Sequence, residues 1–269
     1  LNTYHGASYF RRWHGLKEEG GTLWVHKSTH HFDLLNWWID SEPEEVFAYG
    51  SLEHYGSNGS FRGKNCRSCT YQASCKFYWN VNLYVKNEQH DGYIRDQCVF
   101  RHDINIYDKM SAQIKYANDT VVSYSLTTYS PFEGYRVAFN GTDGRIEAWL
   151  DIPYLKQETM DQEELHNLEM SQDEDTLERN PIIVHKLWND YEKVVVTTEK
   201  KGHGGGDKRL QEKIFENPEV EDPFDRAAGS RDGAMSILVG VAARKSIESG
   251  NPIRIQELTT LVPRKKRLK

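Results

Sequence analysis

Two parts of the chain show apolar residues at helical spacing, and the first lies between Gly20 and Ile39. A glycine pair precedes a helix-length segment there, and we expect it to form one helix with an apolar face on a core. Its apolar residues are Leu34, Leu35, Trp38 and Ile39. His26, His30 and Asp33 follow an i, i+4, i+7 spacing, so on a helix of 3.6 residues per turn they share another face. The pattern predicts a helix whose histidine edge faces a cleft.

The second helical pattern lies near the end of the chain. It begins at Ser230 or Asp232, and Gly250 followed by Pro252 ends it. The predicted apolar stripe consists of Ile237, Leu238, Val241, Ala242 and Ile247. A short closing strand is expected next, with the apolar residues Ile253, Ile255 and Leu258.

Alternation with period 2 dominates the middle of the chain and predicts antiparallel strands. One strand is expected within Ser41–Gly56, with Val46, Ala48 and Tyr49 pointing inward. The others are Asp108–Tyr116, Val121–Tyr129, Tyr135–Asn140, Arg145–Leu150, Ile182–Trp188 and Glu192–Thr198. Turn residues connect the first two pairs as hairpins. The fold class predicted is α+β with a largely antiparallel sheet, which can leave one face free for a partner.

Two segments interrupt these patterns. Residues 155–180 are dominated by acidic side chains, which favours a solvated loop or an exposed helix inserted between strands. The run Gly-His-Gly-Gly-Gly-Asp covers Gly202–Asp207, where glycines let a ligand approach the backbone and Asp207 is suited to cap the next helix. His203, between glycines, is either a site residue or an exposed loop histidine.

The composition and charge of the chain mainly argue against certain classes of partner. The chain has 269 residues, a net charge of −6 and a pI near 6.0, which argues against a nucleic-acid partner. No apolar run is long enough to span a bilayer, and the start lacks a signal-peptide pattern. Because the chain begins at Leu1, we expect a fragment of a longer protein, and its compartment is not indicated. The basic end after Pro263 is interpreted as solvated.

Four cysteines form a possible metal site. Cys66-x-x-Cys69-x5-Cys75 is compact, and Cys98 follows at a distance. Four thiolates satisfy the tetrahedral preference of zinc. Reduced thiols or one disulfide are the alternatives.

A second candidate group, Arg11, Arg12, Trp13 and His14, lies near the start. Arginine can hold a polar substrate through forked hydrogen bonds, and tryptophan can stack on the face of a sugar. The group therefore predicts a substrate-binding surface, with a surface loop and a packed tryptophan as the alternative.

These motifs together resemble the family of NAD(P)-dependent sugar and polyol oxidoreductases that includes glucose-fructose oxidoreductase and inositol dehydrogenase. In that family a glycine pair leads into an Asp-x-x-x-His helix whose histidine is the catalytic acid/base. His30 matches this histidine, and His26 stands where the family usually has aspartate. The Tyr4-His5-Gly6 entry, the glycine-rich run at Gly202–Asp207 and the final helix add to the resemblance.

The resemblance implies an architecture. Relatives carry an open, largely antiparallel sheet with helices on one face, and the other face meets a second subunit. Residues 1–269 would be this C-terminal substrate-binding and oligomerisation domain. No Gly-x-Gly-x-x-Gly motif follows a strand, and no Glu-Lys-Pro motif supplies the catalytic lysine of the family. The dinucleotide-binding domain is therefore expected to be absent from this chain, and the fragment alone to be inactive.

The implied chemistry is oxidation of a sugar or cyclitol hydroxyl with NAD or NADP as cofactor. A histidine of near-neutral pKa suits removal of the hydroxyl proton, so His30 is the candidate base and His26 or Asp33 orients it. An aspartate one turn away would stabilise a protonated His30, whereas His26 would not. A glycosidase of the same fold, with a tightly held NAD, and a non-catalytic carbohydrate-binding or dimerisation fragment are the alternatives.

Two other interpretations of these histidines stay open. The i, i+4 spacing of His26 and His30 is typical of a metal-binding helix, with Asp33, His5 or His203 as the third ligand. Alternatively the histidines only cap and pack the helix.

Overall fold

The computed structural model describes residues 6–79, 85, 88–93, 95–130, 134–150, 176–199 and 202–267. The chain divides into two compact units. The larger comprises Thr3–Pro131 and Phe224–Lys269, and the smaller comprises Leu1–Asn2 and Phe132–Pro223.

Helices and strands follow one another as separate runs, which is typical of α+β proteins. The helices are Ala7–Phe10 (α1), Lys17–Gly20 (α2), Leu23–His26 (α3), Thr29–Ile39 (α4), Glu88–Asp91 (α5), Gly202–Gln211 (α6) and Ser230–Ser249 (α7). Short 3-10 turns cover Trp13–Gly15, Gly56–Asn58 and Ile255–Glu257, and a π-helical turn covers Glu212–Glu216. The strands are Pro43–Ser51 (β1), Lys109–Tyr116 (β2), Val121–Thr127 (β3), Tyr135–Asn140 (β4), Gly144–Leu150 (β5), Thr176–Lys186 (β6), Tyr191–Glu199 (β7) and Ile253–Arg254 (β8).

The sheet of the larger unit has the order β3-β2-β1-β8, and all its described pairs are antiparallel. Side chains of β2 alternate strictly between buried and exposed, as the sequence pattern predicts. Val46 and Ala48 of β1 are buried, which confirms their inward orientation. Tyr49 was predicted to point inward as well, and this is wrong, since it is 66% exposed. Adjacent residues of a strand face opposite sides, and Ala48 holds the inward position.

The long helix α7 has the predicted bounds, and Gly250 caps it in the left-handed conformation at φ 72°. The predicted apolar stripe is only partly confirmed, because Ala242 is fully buried whereas Ile237 is 44% exposed. The buried residues are Met235, Ser236, Val239, Gly240, Ala242, Ala243 and Ser246. A Cβ on Gly240 would stand 2.4 Å from the Trp24 carbonyl oxygen. Close approach to α3 therefore selects small residues on this face, not the largest apolar ones.

The smaller unit contains a second antiparallel sheet with the order β4-β5-β6-β7. Its β4–β5 hairpin confirms the prediction for Tyr135–Leu150. The acidic insertion predicted at 155–180 is wrong at its end, because Thr176 to Asn180 belong to β6, and Thr176 to Arg179 pair with β7. Residues 155–175 lie outside the described part of the chain.

The α+β class and the largely antiparallel sheets are therefore confirmed, with eight described strands divided between two sheets. The predicted closing strand is confirmed only as the two-residue β8, which is followed by a 3-10 turn. Within the described residues, no helix is both long and apolar enough to cross a membrane.

Candidate functional site

The segment predicted as one helix from Gly20 to Ile39 is two helices, α3 and α4. The break falls at Lys27 and Ser28, and the Ser28 amide donates to the Leu23 carbonyl at 2.9 Å. Ser28 is fully buried, and its hydroxyl accepts a hydrogen bond from the Tyr124 hydroxyl at 3.1 Å. The prediction of one continuous helix is wrong because this buried tertiary contact fixes Ser28 where the helix would otherwise continue.

His26 is the last residue of α3, and its nearest described polar partner is His14. The two Nε2 atoms are 2.7 Å apart. Trp13 stacks on the His14 ring with centroids 3.6 Å apart, and its ring lies edge-on to His26 at 5.6 Å. Tyr9 contacts both imidazoles edge-on, at 5.9 and 6.2 Å. We call His14 and His26 the histidine pair, and aromatic rings surround it.

Both members of the histidine pair are held neutral. Burial, with the positive charge of Arg12 and the neighbouring His26, lowers the pKa of His14 to about 3. Burial and Arg12 also lower the pKa of His26. Two neutral imidazoles can share one N–H···N hydrogen bond, in which one ring donates and the other accepts. The pair is therefore uncharged at neutral pH.

The surroundings of His14 indicate which ring donates. Its Nδ1 is buried and has no hydrogen-bond partner among the described residues. A proton on that atom would leave a buried donor unsatisfied, which costs more than leaving a lone pair there. We therefore assign the proton of His14 to Nε2, donating to His26 Nε2. His26 then carries its own proton on Nδ1, at the exposed end of the pair.

His30 and Asp33 lie on α4 beside this pair. His30 is exposed, and its charge acts on the pKa of both His26 and Asp33. Asp33 is half-buried, and burial raises the pKa of its carboxyl against the opposing charge of Arg267. Although the helix is broken, His30 remains within electrostatic reach of both His26 and Asp33.

The predicted substrate residues are divided by the fold. Trp13 is 41% exposed and so has a ring face open to a ligand. Arg12 donates from Nε to the Tyr93 hydroxyl at 3.0 Å, and its guanidinium lies over the Tyr93 ring at 5.9 Å. His14 is buried at 2% exposed, and the structure places it behind His26 as a hydrogen-bond partner.

Arg11 has different surroundings. It is 5% exposed, and its guanidinium donates to Cys66 Sγ at 3.3 Å and to the Phe77 carbonyl. These contacts occupy its nitrogens within the cysteine segment. Nothing in its placement supports the predicted contact with a substrate.

Arg101, which no sequence pattern singled out, supports the loop that carries Trp13 and His14. Its guanidinium donates to the Phe10 carbonyl and, at 2.9 Å, to the Arg12 carbonyl. A Cβ on Gly15 would stand 2.7 Å from Arg101 Nη2, so a larger residue at this position would displace the guanidinium. Its Nε also pairs with the Asp103 carboxylate at 2.8 Å. No sequence signal marks its supporting role, because the two backbone carbonyls are far away along the chain.

His203 lies in the smaller unit, at the start of α6. Its Nδ1 is 3.0 Å from the Asp207 carboxylate, and its side chain is 88% exposed. His203, Gly204 and Gly205 all have positive φ, which explains the glycines of this run. Asp207 was predicted to cap the following helix, and its described partner is His203.

No metal site is ready-made among the described residues, since no three His, Cys, Asp or Glu side chains are arranged to hold an ion. This covers the predicted combinations of His26 and His30 with Asp33 or His203. His5 lies outside the described residues. The four cysteines are all free, and they line one cavity.

Comparison with known proteins gives these residues a context. The family model described as "Oxidoreductase family, C-terminal alpha/beta domain" matches residues 1–255. The chain belongs to the Gfo/Idh/MocA oxidoreductase family. This Gfo/Idh/MocA chain is similar to "Putative oxidoreductase YteT" of Bacillus subtilis strain 168, with 35% identity over 96% of the chain and 61% of that protein. It therefore spans less than two thirds of the length of this relative.

Solved structures share the fold of this Gfo/Idh/MocA domain. An oxidoreductase domain protein from Kribbella flavida matches with a TM-score of 0.54 at 12% identity, over 91% of this chain and 54% of that one. A structure titled "putative nadph-dependent oxidoreductase" from Desulfitobacterium hafniense matches with a TM-score of 0.51 at 13% identity, over 95% and 55% of the two chains. At these identities the likeness concerns the fold alone.

Proposed function

We propose that this chain is the substrate-binding domain of an NAD(P)-dependent oxidoreductase that acts on a sugar or cyclitol hydroxyl. The observation that carries the proposal is the neutral histidine pair beside the exposed His30 and the exposed ring of Trp13. Exposed imidazole next to an open aromatic face suits a polyhydroxylated ring, which offers hydroxyl protons at its edge and C–H groups on its face.

Each residue has a distinct role in this proposal. His30 accepts the proton of the reacting hydroxyl, because it is the exposed imidazole on α4. His26 donates from Nδ1 to a substrate oxygen, while His14 holds its ring through the hydrogen bond at Nε2. Trp13 stacks on the sugar face. Asp33 positions His30 and moderates its charge.

A nicotinamide cofactor supplies the hydride acceptor when it is bound. Support for NAD or NADP comes from the family and from the description of the Desulfitobacterium hafniense protein as NADPH-dependent. The residues that would hold it are not identified on this chain. A protein with the length of YteT has room for a further domain, which is where we expect cofactor binding.

The sheet of the smaller unit offers a surface for self-association. Its strands β6 and β7, with their connecting turn, expose large apolar side chains. These are Leu187, Trp188, Tyr191, Val194 and Val195. Tyr191 and Val195 share one face of β7, and exposed apolar side chains on one face favour a protein partner. We propose that two or more copies of the chain associate through this sheet.

The catalytic assignment is tested by His30→Ala in the complete gene product. Reduction of NAD or NADP would be followed with a panel of aldoses and cyclitols. We expect kcat to fall by about 100-fold or more, the usual contribution of a general base. His90→Ala, at an exposed helical histidine, is the matched control and should retain full activity.

The panel also separates the alternatives. Cleavage of an aryl glycoside without net turnover of added cofactor would favour the glycosidase. Unchanged kcat in His30→Ala would remove the base assignment, and inactivity of the wild-type protein on every substrate would contradict the proposed substrate class.

The association proposal is tested by Val195→Asp, since Val195 is 64% exposed. A charge on this face should shift the complete gene product toward smaller species in light scattering coupled to size exclusion. Glu192→Lys changes the charge on the opposite face of the same strand and is the control. An unchanged mass for Val195→Asp would place the contact elsewhere.

A further inference from the structure

All four cysteines of the chain line one small cavity in the larger unit. Cys66, Cys69 and Cys75 come from one loop, and Cys98 comes from a segment far along the chain. The cavity has a volume of about 20 Å³, which suits one ion or one water molecule and is too small for an organic ligand. With so few cysteines available, their shared cavity requires an explanation.

The backbone brings the two cysteine segments together in a fixed register. The Cys66 amide donates to the Asp96 carbonyl at 2.7 Å, and the Cys98 amide donates to the Lys64 carbonyl at 3.4 Å. An antiparallel bridge joins the same segments. Within the loop, the Cys69 amide donates to the Cys66 carbonyl at 3.3 Å, which closes the Cys-x-x-Cys turn. Main-chain hydrogen bonds thus bring the loop that carries Cys66, Cys69 and Cys75 next to the segment that carries Cys98.

Hydrogen-bond donors point at the sulfur atoms. The Phe100 amide donates to Cys98 Sγ at 3.4 Å, and Arg11 Nη1 donates to Cys66 Sγ at 3.3 Å. Donors of this kind stabilise a thiolate more than a thiol. Arg11 is 5% exposed, and the described acceptors of its guanidinium are this sulfur and the Phe77 carbonyl. Arg11 therefore places a positive charge at the wall of the cavity, where it can offset negative charge on a metal–thiolate group.

We propose that the four cysteines bind one zinc ion as a structural thiolate site, and that Arg11 offsets part of its negative charge. Four thiols release four protons when the divalent ion binds, which gives the metal and its ligands a net charge of −2. Arg11 reduces this to −1. Four protein ligands complete the tetrahedral shell and leave no position for substrate, as in structural zinc sites.

The thiols are not yet arranged as a ready-made site in the described chain. Neutral thiols have no common attraction, so nothing aligns them on one point before the ion binds. Zinc binding therefore requires the cysteine side chains to rotate so that their sulfur atoms point at one position in the cavity. The backbone register that holds the two cysteine segments together is already present without the ion.

A metal would also explain how this part of the chain is held. Between β1 and β2, the described helical elements are Gly56–Asn58 and α5, and most of the described residues of this long connection are irregular. Long irregular connections of this kind lose much entropy on folding, and a cross-link offsets that loss. The proposed role of the zinc ion is structural, and all four cysteines are remote in sequence from His30.

The test is the metal content of the complete gene product, purified from zinc-supplemented cells without chelator. Elemental analysis should give one zinc per chain, and exchange with cobalt should give the absorption of a tetrahedral cobalt–thiolate complex. Cys69→Ser and Cys98→Ser should each lower the bound zinc to less than a tenth of the wild-type content. Ser74→Ala, an exposed serine in the same loop, is the control and should keep its zinc.

If the cysteine variants fail to fold, the metal content of the wild-type protein still tests whether the four cysteines bind zinc. Four reactive thiols in the native protein with no bound metal would overturn the proposal. A disulfide detected by mass, or iron in place of zinc, would overturn it equally. Full zinc content in Cys98→Ser would exclude the four-thiolate set.

Discussion

At the scale of single residues, the most informative contact is the hydrogen bond between His14 and His26. In the sequence, neither histidine taken alone differs from an ordinary polar residue. Together they share one proton at their facing nitrogens, 2.7 Å apart, under the ring of Trp13. The contact makes His26 a fixed neutral donor, whereas the aspartate that the family usually has there would be a charged acceptor.

The lowered pKa of His14 predicts how stability depends on pH. Its folded pKa is about 3, below the ordinary value of 6.5, so between these values the unfolded chain binds a proton that the folded chain does not. The free energy of unfolding therefore decreases as pH falls from about 6.5 toward 3. His14→Gln should reduce this slope by as much as about 1.4 kcal/mol per pH unit, the value for one proton.

Urea unfolding at several pH values between 4 and 6.5 measures the slope. His90→Gln, which removes an exposed histidine, is the comparison. His31 contributes in the same direction, because burial lowers its pKa to about 4. An identical slope in wild type and His14→Gln would show that folding does not lower the pKa of His14.

At the scale of elements, the contact between α7 and α3 positions His26. Gly240 of α7 lies against the carbonyl of Trp24, and a Cβ there would be 2.4 Å from that oxygen. Gly233 is on the same helix, and a Cβ there meets nothing within 4 Å. The structure therefore has room for a side chain at Gly233 and none at Gly240.

These glycines give a matched pair of substitutions. Gly240→Ala should destabilise the chain by about 1–3 kcal/mol, because α7 has to move away from α3. Gly233→Ala should stabilise it by about 0.5–1 kcal/mol, since alanine favours the helix. Urea midpoints measure both changes. Equal effects at the two positions would contradict the close approach.

At the scale of the whole larger unit, Glu42 joins three distant parts of the sequence. Its carboxylate accepts two hydrogen bonds from the Arg231 guanidinium, at 2.7 and 2.8 Å, and one from the Arg264 amide at 2.8 Å. Its own amide donates to the Arg264 carbonyl at 3.1 Å. The start of β1, the helix α7 and the final segment thus meet at one buried side chain, which is 4% exposed.

Glu42→Gln should cost about 2–4 kcal/mol, because it leaves the paired arginine without its counter-charge. Glu44→Gln is the matched control, since Glu44 pairs with Lys115 at 3.2 Å with both side chains exposed, and we expect a loss of at most about 1 kcal/mol. Thermal or urea unfolding compares the two. A similar loss in both variants would show that burial of the pair contributes nothing.

The sequence by itself determined the elements whose pattern is local. The hairpins at Lys109–Thr127 and Tyr135–Leu150 follow from alternation and turn residues, and the ends of α7 follow from capping by Gly250. Local rules suffice where the neighbours in space are neighbours in sequence. His30 as candidate base also came from the sequence, through the resemblance to the family, and stays a prediction.

The tertiary structure alone decided the contacts that join distant segments. Nothing local predicts that α3 ends at His26, because the cause is the bond between buried Ser28 and Tyr124 of another strand. The buried face of α7 was likewise set by the close approach of Trp24. The small residue Gly240 is therefore buried there, whereas the larger Ile237 is exposed. The pairing of His14 with His26 depends on both effects. A periodic pattern records which side of an element is apolar, whereas the site depends on which elements lie against one another.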